Sequence, residues 1–382
     1  MGDITISSAV RSNLNALQST SNMMSQVQER LATGKKVNSA LDNPNSFFTA
    51  KGLENRASDL STLLDDMGQS VQTLKAADEG ISAISDLVDA AKAKANQAAQ
   101  TSDQTERSQY VSEYNELLTQ IEDLAKDSGY KGKNLLGGAG NDLSVTFNED
   151  GTSSLAISAI DYTDASSSTG LNLSSLATGS SGSASLGISS TMSVTTDLLT
   201  DSANYGAGDT LTLTDVNGTE LGSFEVTATT TVGDLIDFVD GVDDIDADFN
   251  STSHVAVSSS FKFTITNDQA GSGSYTSETS SAVNSGLADD DDIDSVLGDL
   301  TSALNTLRSQ ASTFGTNLSI VEGRQDFTNA MINTLEEGAG KLTLADTNQE
   351  GANLLALQTQ QSLASTSLSL ASQADQNVLR LF

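Results

Sequence analysis

The sequence contains no cysteine and no tryptophan, and it has one proline and one histidine among 382 residues. Without cysteine there can be no disulfide and no thiolate nucleophile. The single histidine, His254, excludes a His-Glu-x-x-His zinc-protease motif, and its Ser-His-Val context is typical of a strand edge. No Gly-x-Ser-x-Gly motif or phosphate-binding glycine loop is present. We therefore expect no enzyme activity, no metal and no cofactor.

Positive charge is also scarce, with 18 Lys and Arg against 51 Asp and Glu and a formal net charge of −33. This balance argues against nucleic-acid binding, because neutralising phosphates requires clustered Lys and Arg. Residues 1–56 hold six basic and four acidic residues, and residues 340–382 hold two and three. The two ends together are therefore at +1 and the interior is at −34, a distribution that lets the ends pack closely with copies of themselves.

Long hydrophobic runs are missing, since no stretch approaches the roughly 20 apolar residues of a membrane span. The start of the chain, Met1 to Thr5, lacks the basic and apolar parts of a cleaved signal peptide. We therefore expect no membrane partner. The protein is expected either to stay in the cytoplasm or to leave by a route that does not read such a signal.

Apolar residues recur at every seventh position over two long stretches, which begin at Leu53 and Ile293. The first stretch predicts a helix of about 45–50 residues, roughly 70 Å long at ~1.5 Å per residue. Such a length is typical of a coiled coil or rod. The residues predicted to pack this rod are Leu53, Leu60, Met67, Leu74, Ile81, Val88, Ile293, Leu300, Leu307, Phe314 and Val321.

Two further helices are predicted at the ends, over residues 4–33 with Gly34 as a C-terminal cap, and from about Leu344 after a break at Gly338-Ala-Gly340. Pro44 is predicted to lie in a turn. Outside their apolar rows these helices carry mostly small uncharged polar residues, so they require neighbours on several sides. We expect both ends to be disordered in the monomer. Their predicted interface residues are Val10, Leu14, Leu17, Met24, Leu31, Leu354, Leu357, Leu363, Leu368, Leu370, Val378, Leu381 and Phe382.

The middle of the chain changes to β patterning after a helix predicted at about 104–127. A hairpin is predicted at 143–158, and a separate unit at 208–268. This unit combines an Asn-Gly turn with a short helix over Val232–Asp240 and a further strand near its end. Residues 270–285 are predicted to be a Ser/Gly linker.

Two acidic runs, Asp243–Asp248 and Asp289–Asp294, are candidate calcium ligands. Neither has the ligand spacing, central glycine and terminal bidentate acid of an EF-hand loop. We interpret both as solvated surface, with the second also placing negative charge at a helix N-terminus. Whether these runs bind calcium is left open.

These patterns predict a mainly α fold with a β-rich insert: terminal helices paired as a coiled coil, a long-helix rod domain with a β-hairpin, and a central α+β insert domain. The terminal helical domain is predicted to combine residues 1–45 and 339–382. The rod domain is predicted to combine residues 46–165 and 286–338. Residues 166–285 are predicted to form a variable, surface-exposed insert.

The two ends resemble those of bacterial flagellins, roughly over residues 1–145 and 287–382. Any one of the motifs is weak, but their presence at both ends in the right order makes the resemblance specific. The motifs are Asn13–Leu17, Gln28–Ser39, Ala345-Asp346 with Asn348, Leu354–Thr359, Leu368–Ala371 and the closing Leu381-Phe382.

The resemblance implies an extracellular structural subunit that polymerises into the flagellar filament for motility. Its terminal helices would line a hollow filament and its rod would form the surrounding tube. The resemblance also implies unfolded export through the flagellar type III apparatus without a cleaved signal peptide. Its implied partners are an export chaperone, a filament cap and a hook-junction protein.

The chain departs from the usual family pattern at three positions. Gln360 stands where an arginine is usual. Val88 and Gln120 replace an arginine and a glutamate of the segment that the vertebrate innate flagellin receptor recognises. Weak activation of that receptor is therefore expected.

Two alternatives to a filament subunit stay open from the sequence. A hook–filament junction protein shares the same end pattern, although the closing Leu-Phe and the Leu-Gln-Thr segment favour flagellin. An adhesin or surface-layer protein belongs to a different class. It would be expected to keep its binding or its lattice after deletion of residues 354–382.

Overall fold

A computed structural model describes residues 8–189, 192–250, 253–271 and 273–379. Within these residues six α-helices dominate, and a region rich in short strands lies between α3 and α5, so the predicted mainly α fold with a β-rich insert is confirmed. The helices are α1 Ser8–Thr33, α2 Pro44–Ala98, α3 Gln104–Asp127, α4 Val232–Asp240, α5 Asp290–Thr343 and α6 Thr347–Leu379. One 3-10 turn covers Leu199–Asp201.

The strands of the described residues are β1 Leu143–Thr146, β2 Ser154–Ile157, β3 Thr178–Ser180, β4 Gly182–Gly187, β5 Thr210–Thr214, β6 Glu220–Glu225, β7 Ile245–Asn250, β8 His254–Ser259, β9 Thr264–Asn267, β10 Ser277–Thr279 and β11 Val283–Ser285. They form four small sheets, ordered β1-β2, β10-β9-β5-β6, β11-β3 and β4-β8-β7.

The chain divides into two compact units. The first comprises the described residues of Met1–Gly68, Thr146–Leu155 and Glu322–Phe382. The second comprises those of Gln69–Val145 and Ala156–Val321. The boundary between the units therefore falls within both long helices, α2 and α5.

The turn predicted at Pro44 is wrong, because this proline is the first residue of α2. The side-chain oxygen of Asn43 accepts the Ser46 N–H at 3.1 Å, so Asn43 caps the helix. Proline is well suited to the first helical position, where its missing N–H costs no intrahelical hydrogen bond. Asn-Pro therefore starts a helix here instead of forming a free-standing turn.

The break predicted at Gly338–Gly340 is also wrong, since α5 continues to Thr343. The first of these glycines lies against α2, where an added Cβ would come within 3.5 Å of Leu53 Cδ1. Close packing of α5 against α2 therefore explains why a glycine stands at position 338, and no chain reversal is needed there. The chain reverses after α5 ends at Thr343, and Asp346 Oδ1 then caps α6 by accepting the Asn348 N–H at 2.9 Å.

The helix and hairpin predicted before the insert agree with the structure. The third helix starts at Gln104 and ends at Asp127, and the Asp103 side chain caps it by accepting the N–H groups of Thr105 and Glu106. Strands β1 and β2 form the predicted hairpin. At its tip the Phe147 N–H donates to Ser153 O at 2.8 Å.

The strand-rich region between α3 and α5 contains one large apolar core cluster, to which β4, β5, β8, β9 and α4 all contribute. Its helix α4 has the predicted bounds and starts with a capping box between Thr231 and Asp234. The acidic run at 243–248 continues into β7, where Ile245 and Ala247 are buried and the aspartates between and after them are exposed. His254 is the first residue of the central strand of its sheet.

The linker predicted at 270–285 is wrong, since two strands lie within it. Strand β10 extends the sheet at the edge of β9, and β11 pairs with β3 so that Val283 faces Ser180. These strands are short and rich in Ser and Asn, so they carry no apolar alternation. They are held by pairing with strands distant in sequence, which composition does not reveal.

Candidate assembly interface

The terminal helices α1 and α6 pack antiparallel within the first unit. Asn13 Nδ2 donates to Ser367 Oγ at 3.3 Å near one end of the pair. Near the other end, Arg30 Nη1 lies 3.2 Å from Glu350 Oε1. Both contacts fit one register, in which a step forward along α1 is a step backward along α6. The predicted pairing of the terminal helices is therefore present within a single chain.

The loops at one end of this pair are tied together by backbone hydrogen bonds. Gly34 ends α1 in the left-handed region at φ 68°, as a C-terminal cap requires. Its carbonyl accepts the Ala345 N–H at 2.9 Å, and the Lys36 N–H donates to Thr343 O at 2.7 Å. The chain segments after α1 and between α5 and α6 thus fix where the pair begins.

The seam between α1 and α6 follows alternating steps of three and four residues, as in a coiled coil. Its residues are at least partly buried, and several are polar. On α1 they are Val10, Asn13, Leu17, Thr20, Met24, Val27 and Leu31. On α6 they are Glu350, Leu354, Leu357, Gln361, Ala364, Leu368 and Ala371.

Not every predicted interface residue lies in this seam. Leu363 and Leu370 are 66% and 63% exposed, and Leu14 is 46% exposed. The other predicted residues with described side chains lie in the seam: Val10, Leu17, Met24, Leu31, Leu354, Leu357 and Leu368. The side chain of Val378 and the residues Leu381 and Phe382 lie outside the described part of the chain. The pair therefore leaves a row of α6 leucines without cover in one chain.

Sequence reasoning missed the polar members of the seam. Thr20 is buried and donates its hydroxyl to Ala16 O at 2.9 Å. Glu350 is also buried beside Arg30. A search for apolar residues alone passes over both. Extending the three-four spacing from Leu17 and Leu357 without regard to polarity would have found them.

The residues predicted to pack the rod are buried with one exception. In the first unit Leu60 and Met67 are buried, and half-buried Leu53 packs against a cluster that includes Leu335. In the second unit the predicted residues are all at most 2% exposed: Leu74, Ile81, Val88, Ile293, Leu300, Leu307, Phe314 and Val321. These side chains thus find cover within one chain, unlike Leu363 and Leu370.

In the described part of the chain, no three His, Asp or Glu side chains come together as a metal site would require. The described helices also include none that is long and apolar enough to cross a membrane. The described residues do contain a helix pair with few charges, α1 and α6, on which Leu14, Leu363 and Leu370 are exposed to solvent.

Comparison with known proteins identifies the family. A family model of the bacterial flagellin N-terminal helical region matches residues 5–141, and one of the C-terminal helical region matches residues 297–382. Together these matches cover more than half of the 382 residues. The chain belongs to the bacterial flagellins. The flagellin predicted from the two ends of the sequence is confirmed.

Several curated flagellins are similar to this one. Flagellin A of Rhizobium meliloti is 27% identical over the full length of both chains. Flagellin C of Rhizobium meliloti (strain 1021) is 41% identical over 90 residues, which are 22% of this chain and 28% of that one. Flagellin FljM of Caulobacter vibrioides (strain ATCC 19089 / CIP 103742 / CB 15) is 32% identical over 140 residues, 36% and 51% of the two chains.

This flagellin is accordingly a structural subunit of the flagellar filament, and the family implies self-polymerisation. Its homologues form the extracellular filament and belong to a structural family. The helical ends matched by the family models contain α1 and α6. The candidate site therefore lies within the two regions that the family models match.

Proposed function

We propose that the α1/α6 pair forms the core of the filament, where copies of it pack through their outward faces. In this proposal residues 1–45 and 339–382 form the core domain, 46–165 and 286–338 the surrounding tube, and 166–285 the outer surface. The observation that carries the proposal is the exposure of Leu363 and Leu370 on a helix with few charges.

The energetics favour assembly through these leucines. Burying one leucine side chain contributes about 1.5–3 kcal/mol relative to leaving it in water. The faces beside them carry Ser, Thr and Gln rather than charge, so little charge has to be desolvated. The interior segments hold all of the net negative charge, −34 against +1 for the two ends, and an outward position would spread it in solvent.

The remaining parts of the proposal follow from the family resemblance. The subunit is exported unfolded by the flagellar type III apparatus without a cleaved signal peptide. An export chaperone binds it first, and it then assembles between the hook-junction protein and the filament cap. It has no catalytic activity, and it activates the vertebrate innate flagellin receptor weakly because of Val88 and Gln120.

Replacing Leu363 or Leu370 by glutamate tests the proposal. We expect Leu363→Glu or Leu370→Glu to abolish elongation of filament seeds, because each places a charge where a neighbouring copy packs. Leu363→Met keeps the apolar volume and is the matched control. Light scattering and electron microscopy measure elongation, and the melting curve of the monomer shows that the rest of the chain stays folded. Normal filaments from both glutamate variants would contradict the proposal.

A further inference from the structure

The turn between β5 and β6 contains the only Asn-Gly pair of the sequence, Asn217-Gly218. An asparagine before a glycine is chemically labile, because no Cβ of the glycine keeps its backbone nitrogen from the carbon of the preceding side-chain amide. Asn217 is half-buried, and Gly218 is exposed with a φ of 76°. Water therefore reaches a turn whose sequence favours reaction. This turn lies outside the terminal helices that the proposed function uses.

The side-chain amide of Asn217 is held at both of its ends. Its Nδ2 donates to Ala288 O at 3.0 Å, and its Oδ1 accepts the Asp290 N–H at 3.0 Å. Asp290 is the first residue of α5. We call these two hydrogen bonds the amide latch. The latch ties the β5–β6 turn to the start of α5 within the second unit.

The backbone of the turn is held as well. The Gly218 N–H donates to Asp215 O at 3.2 Å. The buried Asp215 carboxylate accepts the N–H groups of Asn217 and Thr219 at 2.9 and 2.8 Å. Attack by the Gly218 nitrogen on the side-chain amide requires that amide to swing over its own backbone. The amide latch must therefore open before the pair can react.

We propose that Asn217 is a deamidation site that the amide latch keeps unreactive in the folded chain. When the latch opens, the Gly218 nitrogen bonds to Asn217 Cγ and loses its proton. The bond from Cγ to Nδ2 breaks, and the amide nitrogen leaves with that proton as ammonia. Water then opens the cyclic imide and leaves aspartate or isoaspartate at position 217. One water is consumed and one ammonia is released, so water is the only co-reactant.

The product closes the latch less well than the amide does. A carboxylate at position 217 has no N–H to donate to Ala288 O, so one latch bond is lost outright. The other is opposed by charge, because Asp215 Oδ2 lies only 3.5 Å from Asn217 Nδ2 and two carboxylates at that distance repel. Ala288 O still accepts a hydrogen bond from Arg107 at 2.6 Å, so it does not draw the turn back. Deamidation therefore makes a reversible opening of the turn lasting.

Mass spectrometry of the full chain measures the reaction, because it replaces an amide by an acid at one residue. We expect Asn217 to deamidate at least about tenfold faster in the guanidinium-unfolded chain than in the folded chain at the same pH and temperature, since two hydrogen bonds hold the folded amide. Asn305, an exposed asparagine followed by threonine, is the internal control and should react far more slowly in both samples. Equal rates for Asn217 in the two samples would overturn the proposal, as would the absence of reaction in the unfolded chain.

A variant that lacks a single N–H tests the latch in the folded chain. Asp290→Pro removes the donor to Asn217 Oδ1, and proline is tolerated at the first position of a helix. Asp290→Ala loses the same carboxylate but keeps the N–H, so it is the matched control. We expect Asn217 to deamidate several-fold faster in the proline variant than in the alanine variant. Equal rates in the two folded variants would overturn the role of the latch.

Asn217→Asp supplies the aspartate product directly and tests its effect on the turn. We expect the amides of residues 217–219 and 290–292 to exchange with solvent at least about threefold faster than in Asn305→Asp, which adds the same charge on an exposed face of α5. Equal melting temperatures show that both variants are folded. Equal exchange in the two variants would overturn the claim that the product leaves the latch open.

Discussion

Asp209 is a buried carboxylate whose charge is balanced by neutral hydrogen-bond donors. It lies at the start of β5, is fully buried, and accepts the Gly206 N–H at 2.8 Å and Asn267 Nδ2 at 3.0 Å. The Gly271 N–H donates to its other oxygen. Burial by itself would raise the pKa of Asp209, but these donors outweigh it and leave the pKa below its usual value. The carboxylate thereby holds two glycine-rich loops together.

This lowered pKa predicts an acid-sensitive insert. A carboxylate with a depressed folded pKa stabilises the fold at pH values above its unfolded pKa near 3.8. That contribution is lost as the pH falls through the still lower folded pKa. We expect Asp209→Asn to lower the free energy of unfolding at pH 7 by about 1–3 kcal/mol, because an amide NH₂ then faces N–H donors.

Urea unfolding from pH 7 to pH 2 measures both effects. The Asp209→Asn variant should show a shallower loss of stability below about pH 4 than wild type, since it lacks the titrating group. Asp201→Asn, at an exposed aspartate of the same insert, is the control and should follow wild type. Parallel curves for wild type and Asp209→Asn would contradict the prediction.

At the scale of elements, the periodicity of apolar residues predicted where the helices lie, but it did not predict which faces of α1 and α6 pack against each other. Long rows of apolar residues at sevens predicted α2 and α5 because only a helix presents them on one face. The same rows failed to separate the seam of α1 and α6 from their outer faces. Leu363 and Leu370 are as apolar as Leu357 and Leu368, and these helices have too few charges to show which face is exposed. The break predicted at Gly338 was wrong because close helix packing and chain reversal both select glycine.

The polar layer in the seam leads to a prediction about the terminal pair. The Asn13–Ser367 and Arg30–Glu350 contacts place buried Thr20 opposite residues 360 and 361 of α6, of which Gln361 is the seam residue. A slip of one heptad in either direction would instead place Thr20 level with a leucine, at position 354 or 368. Polar seam residues of this kind set register at a cost in stability. We therefore expect Thr20→Leu combined with Gln361→Leu to stabilise the pair in the monomer.

Hydrogen exchange of the dilute monomer measures this effect. Amides of α1 and α6 should exchange more slowly in the Thr20/Gln361 double variant than in wild type, because two leucines strengthen the packing of the pair. Ser19→Leu combined with Gln360→Leu places leucines one position away, on exposed residues, and is the matched control. Equal exchange in the variant and this control would contradict the role of the polar layer. Slow exchange in wild type would contradict the expected disorder of the ends.

At the scale of the whole molecule, the insert over residues 166–285 stays a prediction, while the smaller unit expected inside it was drawn too narrowly. The unit expected at 208–268 follows from local signals, an Asn-Gly turn and a short amphipathic helix. Its core also takes Ala184 and Leu186 from β4 and packs against Tyr275, which lie outside that range. Strand β4 pairs with β8 about seventy residues later. Contacts between segments so far apart in sequence leave no periodic trace in either of them.

The paired strands β3 and β11 lie at the two ends of the strand-rich region. Ser180 and Val283 are Cα partners, so the chain enters and leaves the insert at adjacent points. Ser108 Oγ on α3 donates to Thr178 O at 2.8 Å and holds this ribbon in place. Asn217 of the insert donates to Ala288 O at 3.0 Å, but that carbonyl also accepts a hydrogen bond from Arg107 at 2.6 Å. Removing the insert therefore leaves this carbonyl satisfied.

These contacts predict that two deletions of the insert differ in outcome. Replacing residues 181–282 by Asn-Gly closes the β3/β11 ribbon with a two-residue hairpin turn, removes the apolar core entirely and should leave a folded monomer. Deleting residues 208–268 keeps β4 and β10 without their sheets and should aggregate through the exposed apolar surface. Gel filtration distinguishes the expected monomer from the expected aggregate, and thermal melting shows whether each variant is folded.

The replacement of residues 181–282 by Asn-Gly also tests how the net charge of the subunit limits assembly. Residues 181–282 hold fifteen Asp and Glu and one lysine, so removing them changes the net charge from −33 to −19. If the terminal helices and the rod make the filament, this variant should still elongate seeds. It should do so at a lower salt concentration than wild type, because less repulsion between neighbouring copies has to be screened. A folded variant that elongates at no salt concentration would show that the insert itself holds neighbouring subunits together.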